Sequence, residues 1–163
     1  MTRRIAIDIE TSGLDPASGG EVILICAAEL LEGGVLGAHF QSKVKPLRPL
    51  IPLAEELTGI SNTALADAPS FSDIVGDFIA FSDGAELVCI DSEFDSKFLN
   101  QALMDAHLPS LQPERFIDLL SEVPSEFREQ GSEGIYNYAG IEPEMSGKPS
   151  VEVARLYWAL VNR

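Results

Sequence analysis

Two carboxylates near the start of the chain have the type and spacing for metal chemistry. In "IAIDIETSGLDP" Asp8 and Glu10 are separated by one residue. Strand side chains alternate faces, so in a strand both carboxylates point one way and Ile5, Ile7 and Ile9 point the other. Two close carboxylates repel and raise each other's pKa unless a cation intervenes. Hard oxygen donors of this kind suit Mg²⁺ or Mn²⁺. The competing account of an Asp-x-Glu pair is a solvated strand end, and the pair alone does not decide between the two.

The surrounding sequence supplies the elements that position the pair. "EVILICAAEL" is too apolar for an edge and predicts a second strand, and "LGAHFQSKVKP" predicts a third, ending at Pro46. Gly19-Gly20 and Gly33-Gly34 predict hairpin-type turns between the three, giving an antiparallel meander. "PLAEELTGIS" is a short helix. "SFSDIVGDFIAFSD" places Phe71, Ile74, Val75, Phe78 and Ile79 at helical spacing behind an N-cap at Ser70. "ELVCID" is a strand, "SKFLNQALMDA" a helix, and "RFIDLL" a last short strand entering a helix. "SVEVARLYWALV" is an amphipathic helix with Val151, Ala154, Tyr157, Trp158 and Val161 on its apolar face. The order βββ-αα-β-α-β-αα predicts an α/β fold, a mixed five-stranded sheet with helices on both faces.

At 163 residues the chain is expected to form a single domain, residues 1–163. No apolar run is long enough to cross a membrane, and "MTRR" leads straight into a strand, so a cytoplasmic location is expected and a membrane partner is not. Cys26 and Cys89 sit in apolar runs and read as buried free thiols. The 26 acidic residues outnumber the 11 basic ones, for a net charge of −15. Nucleic-acid affinity rests on Lys and Arg neutralising phosphates. Such a partner therefore requires a local basic patch or bound metal ions, and the acidity by itself fits a protein partner better.

Taken in order, "IDIETSGLDP", "VKP", "ELTGIS", "LADAPSF" and "GAELVCIDSEFDSKFL" resemble the DEDD-type 3′–5′ exonucleases of the ribonuclease H-like fold. The resemblance runs from about Ile5 to Leu160. It implies two divalent ions, Mg²⁺ or Mn²⁺, about 3.5–4 Å apart, one activating water and the other stabilising the leaving 3′-oxygen. It implies that Asp8 bridges both ions, that Glu10 binds the first, and that Asp95 serves the second largely through water. Thr11 and Leu14 fall where the family meets the terminal nucleotide. The implied ligand is the 3′ end of a single-stranded nucleic acid or a short oligonucleotide.

The last motif departs from the family. A His, and an Asp five residues later, are expected on the final helix, and "KPSVEVARLYWAL" puts Lys148 and Val153 there. His39 and His107 do not match the family histidine. Glu152 is one helical step, about 100°, from Val153. Lys148 and Glu152 are candidate substitutes, against the plainer account of an i,i+4 ion pair. Asp91, where relatives carry Asn, adds negative charge along the implied path, with Lys97 a candidate to offset it. The expectation is a weakened exonuclease with a single-metal site, and the alternative is a catalytically inactive nucleic-acid- or protein-binding module on the same fold.

Overall fold

The computed structural model describes residues 2–144 and 149–162. Strands β1 (Arg4–Thr11), β2 (Val22–Leu30), β3 (Leu36–Lys43), β4 (Glu86–Cys89) and β5 (Phe116–Asp118) form one sheet in the order β3-β2-β1-β4-β5. β1, β2 and β3 are antiparallel neighbours, while β4 runs parallel to β1 and β5 parallel to β4. The expected mixed five-stranded sheet is therefore present. β2 is an interior strand, which its unbroken apolar run requires.

Helices cover both faces. On one side Ile5, Ile7 and Ile9 of β1 share a core with Ile74 and Phe78 of α3 (Phe71–Ser82) and with Phe98 and Leu99 of α4 (Ser92–Asp105). α3 starts in a capping box: Ser70 Oγ accepts from the Asp73 N–H, and Asp73 returns the bond to the Ser70 N–H at 2.9 Å. Phe78 is fully buried there, worth about 1.5–3 kcal/mol relative to exposure. On the other side Ala6 and Val88 meet Ile135 and Ala139 of α6 (Gly131–Ala139) and Val153, Leu156 and Tyr157 of α7 (Pro149–Val161). α1 (Pro52–Thr58) and α2 (Asn62–Leu65) pack against Ile23, Leu24 and Cys26 of β2. The short α5 (Ser125–Arg128) precedes α6.

Three sequence expectations change. Gly19-Gly20 does not make a tight hairpin turn: residues 12–21 connect β1 to β2 through a 3-10 turn at Pro16–Ser18, capped by Asp15 and closed by left-handed Gly19. α2, absent from the sequence reading, follows α1 through left-handed Gly59 and an N-cap at Ser61. The buried stripe of α7 is Ser150, Val153, Ala154, Leu156 and Tyr157; Val151 is only half-buried and Val161 is exposed. The helix thus turns about one residue from the expected face, because Val153 and Leu156, rather than Val151 and Val161, complete the core against β1 and β4. Cys26 and Cys89 are free and buried, as expected.

Candidate active site

The carboxylates gather where the parallel strands end, the usual binding edge of an open α/β sheet. Asp8 and Glu10 lie near the end of β1, on the face opposite its three isoleucines. Pairing there shifts register: Glu10 faces Leu24 but Thr11 faces Val22, leaving Ile23 as the extra residue of a β-bulge. Such bulges bend a strand and re-aim its side chains. β4 then leads into α4, whose first turn carries Asp95, only 6% exposed. Asp95 is not needed as a cap. Asp91 accepts from the Phe94 N–H at 3.0 Å, and Asp118, at the end of β5, accepts from the Ser92 N–H at 2.9 Å. Asp91, expected as a bare charge along the substrate path, is thus the N-cap of α4.

The electrostatics bind these groups into one site. Burial, reinforced by the charge of Glu10, pushes the Asp8 carboxyl up to about 7. Burial, then the charge of Asp8, pushes Asp95 up to about 8, with Asp91 and Asp118 adding to the effect. Glu10 is raised by burial. The Cys89 thiol stands between the Leu87 carbonyl, at 3.8 Å, and Asp95, and as a donor to that carboxylate it partly offsets the rise. No basic group and no other hydrogen bond neutralises Asp8 or Glu10 among the described residues.

Three carboxylates, with Glu10 acting on Asp8 by its charge and Asp8 on Asp95 by its own, are a donor set for a hard divalent cation. The thiols are unsuited to soft-metal binding, since burial drives Cys26 up to about 12 and Cys89 well above its ordinary value. Among the described residues no three His, Cys, Asp or Glu side chains are spaced so as to hold a metal ion as they stand. By the chemistry of its donors, rather than by their spacing here, the set fits Mg²⁺ or Mn²⁺.

The last motif lies partly among the described residues. Val153 is fully buried in the same apolar cluster as Ala6, two residues before Asp8 on the same strand face. Lys148 lies outside the described residues. Glu152 is committed elsewhere: it accepts from the Tyr136 hydroxyl at 3.1 Å, from the Glu144 N–H at 3.0 Å and from Arg155 at 3.2 Å. Burial, then the bond to Glu152, pushes the Tyr136 phenol up to about 12, and the charge of Asp8 reaches it as well. Lys97, a candidate to offset Asp91, pairs with Asp15 instead, at 2.9 Å. His39 is exposed on edge strand β3, and His107 follows α4 in a left-handed conformation.

Beside the carboxylates opens a cleft of about 620 Å³, lined by Glu10, Thr11, Leu14, Phe94 and the outward side of α1. Leu14 is 86% exposed, which makes it a lip residue rather than core. The Thr11 hydroxyl donates to the Gly13 carbonyl at 2.7 Å and so closes its own turn. Ile51, Leu53 and Leu57 also line the cleft, all exposed, and sequence reasoning did not single them out. Of the apolar positions in "PLAEEL" only Ala54 is buried, so the helix shows an apolar side to solvent.

Known proteins resemble this chain in sequence and in fold. The exonuclease family profile matches residues 5–145. The DNA polymerase III subunit epsilon of Rickettsia typhi is 39% identical over 101 residues, 62% of this chain and 44% of that protein. The same subunit of Pasteurella multocida is 35% identical over 103 residues, 61% of this chain and 41% of that protein. The matched region thus spans less than half the length of these relatives. Among solved structures, the nuclease domain of 3'hExo, a DEDDh family member bound to rAMP, superimposes with a TM-score of 0.78 at 19% identity, covering 99% of this chain and 92% of that one. Exonuclease X in complex with 5′-overhanging duplex DNA gives 0.67 at 21% identity, covering 99% and 92%. At such identities these likenesses speak for the fold. Because the family profile spans most of the chain, and the named relatives and the shared fold point the same way, this protein belongs to the exonuclease family.

Proposed function

We propose that residues 1–163 act as one exonuclease unit that hydrolyses the terminal phosphodiester at the 3′ end of a single-stranded nucleic acid or short oligonucleotide, at a rate lowered by its altered last motif. The observation that carries this reading is the set of three carboxylates, Asp8, Glu10 and Asp95, without a neutralising partner beside an open apolar cleft. Asp8, Glu10 and Asp95 would hold Mg²⁺ or Mn²⁺. The bound ions would supply charge stabilisation at the scissile phosphate and a more acidic water.

The chain's own residues do the rest. Leu14, Ile51, Leu53 and Leu57 offer an apolar surface to the terminal base, with Phe94 beside them. Thr11 and its closed turn shape the backbone against the sugar. Asp91 and Asp118 hold the start of α4 and thereby set Asp95. No histidine or fourth carboxylate is assigned at the last motif, and loss of a general base alone costs about 10²–10⁴-fold. Glu152 does not fill the gap, because Tyr136, Arg155 and the Glu144 backbone already use its oxygens.

Val153 favours a second reading, a binding module that kept the fold and lost the chemistry. A fully buried valine replaces the implied aspartate, and a net charge of −15 suits a protein partner. Relatives named as polymerase subunits make a polymerase one such partner. The readings part in a cleavage assay on 5′-labelled single-stranded DNA and RNA with Mg²⁺ or Mn²⁺, beside Asp8→Ala. A 3′ ladder that disappears in the variant supports the nuclease. Equal cleavage, or none in either protein, leaves the binding module.

A further inference from the structure

Strand β3 is an edge of the sheet, and its pairing with β2 fixes which of its backbone groups remain open. The Val44 N–H donates to the Ile23 carbonyl at 2.8 Å, in register with the pairs Ser42↔Ile25 and Phe40↔Ala27. Hydrogen-bonded pairs alternate along an antiparallel ladder, so Phe40, Ser42 and Val44 spend their N–H and C=O groups on β2. The N–H and C=O groups of His39, Gln41 and Lys43 therefore point outward. Ser42 Oγ donates to the Lys43 carbonyl at 2.9 Å, and no other hydrogen bond reaches these outward groups among the described residues. Towards the hairpin the edge is closed. There the Ala38 N–H donates to the Glu29 carboxylate, which Arg3 also holds at 2.6 Å. A Cβ on Gly37 would lie 2.7 Å from that carboxylate, so the bare glycine gives it room. His39 and Gln41 are thus the open part of the edge, a template for another strand.

Two wells adjoin this strand. One, of about 120 Å³, is lined by His39 and Gln41 and by Ser150 and Val151 at the start of α7. Ser150 is 6% exposed, and no hydrogen bond engages its hydroxyl among the described residues. The other, of about 450 Å³, is lined by Leu36, Ile141, Val151, Ala154 and Trp158. Leu36 and Val151 border both wells, so the two form one groove from the open edge of β3 across the outward side of α7. Arg155 also borders the larger well, but Glu144 and Glu152 already pair with it. The groove shares no lining residue with the cleft beside the carboxylates.

We propose that this groove binds a basic, extended segment of a partner protein, which joins the sheet as a strand beside β3. The backbone of the segment pairs with the outward groups of His39 and Gln41. Its alternate side chains turn towards α7 and enter the two wells, the usual division of labour when a peptide adds to a sheet edge. The smaller well takes an aliphatic side chain of about the size of valine, and the larger one a leucine or an aromatic ring. Charge chooses the partner. At a net charge of −15 the chain attracts a basic segment and repels a second copy of itself. Because the groove and the cleft are separate, the inference does not depend on the nuclease reading.

The test is a titration of the full chain with capped synthetic peptides, followed by amide chemical shifts. The first peptide alternates lysine and valine over about seven residues, roughly one strand. The second carries glutamate in place of lysine. The third repeats the first with N-methylated amides on the side that would face β3. The expected result is saturable shifts at His39, Gln41 and Val151 with the first peptide, at an affinity about tenfold or more above either control. Gln41→Pro removes an outward N–H and spares the pairing with β2, since proline is tolerated where an edge N–H faces solvent. It should erase that gain, and the methylated peptide makes the same test if the variant does not fold. Affinity kept in Gln41→Pro or by the methylated peptide overturns strand addition. Equal affinity for the glutamate peptide overturns the basic partner. Shifts confined to Glu10, Thr11 and Leu14 put the peptide in the cleft and overturn the groove, as does absence of binding. A dimer of the peptide-free chain that Gln41→Pro dissociates gives the edge to a second copy and overturns the proposal as well.

Discussion

At Asp8 and Asp95 the fold holds acids where acids are costly. Both carboxyls keep their protons to higher pH in the folded chain than the ordinary value of 3.8, Asp8 to about 7 and Asp95 to about 8. Between about pH 4 and pH 8 the folded state therefore binds more protons than the unfolded one, and stability falls as pH rises. The full contribution of the two groups is present below pH 4 and is gone above pH 8. Asp15, Glu29 and Asp73 shift downward, so their opposite contributions change only at lower pH. Melting temperature in chelator should accordingly fall from pH 5.5 to pH 8.5. Mg²⁺ or Mn²⁺ should recover it at the alkaline end, since an ion bound only by the native state stabilises that state. Asp8→Asn should flatten the slope. A pH-independent melting temperature in the wild-type chain would show that the carboxylates are not coupled as described.

α7 is the element on which activity turns, because it packs across β1 on the face that carries Asp8. Val153 points into that face, so Val153→Asp would place a carboxylate in the cluster that holds Ala6. Without a cation, an uncompensated buried charge costs about 3 kcal/mol or more. The variant should melt well below the wild type in chelator, regain much of the loss in Mn²⁺, and cleave at least about tenfold faster. A stability loss indifferent to metal would place Val153 away from the ion site. The position of Val153 also marks the limit of sequence reading. Helical periodicity located α7, but apolar residues surround the helix, and Val151, Trp158 and Val161 compete with Val153 and Leu156 for the inward side. Only packing against β1 and β4 decides among them. The β1 carboxylates were legible because strand alternation leaves no such ambiguity. Asp95 was legible through family resemblance alone, since an acidic residue in a first helical turn is ordinary. The cleft was not legible: α1 must be docked before its leucines are known to face outward.

Across the whole molecule charge opposes the proposed substrate. Net charge is −15, and the described cations are mostly committed to internal partners. Arg3, Arg4, Lys97 and Arg155 pair with carboxylates. Lys45 and Arg115 donate to backbone carbonyls. Lys43, Arg48 and Arg128 remain among the described residues, and Lys148 and Arg163 add two in sequence. Each phosphate neutralised on a single strand steepens the salt dependence by about 0.7, so five cations permit a slope of log K against log salt no steeper than about −3.5. Affinity for a single-stranded oligonucleotide should therefore be weak in chelator and fall with salt no more steeply than this limit. It should rise when Mg²⁺ or Mn²⁺ joins Asp8, Glu10 and Asp95, because the ions would then carry part of the phosphate neutralisation. It should also change little as the oligonucleotide is lengthened, since the contacts are confined to the cleft and its rim. Fluorescence anisotropy with 3′-end oligonucleotides of increasing length, at several salt concentrations and with non-hydrolysable linkages, reads all three dependences. A steep slope together with affinity that climbs with length would instead require an extended basic track, which the paired Arg and Lys side chains do not provide.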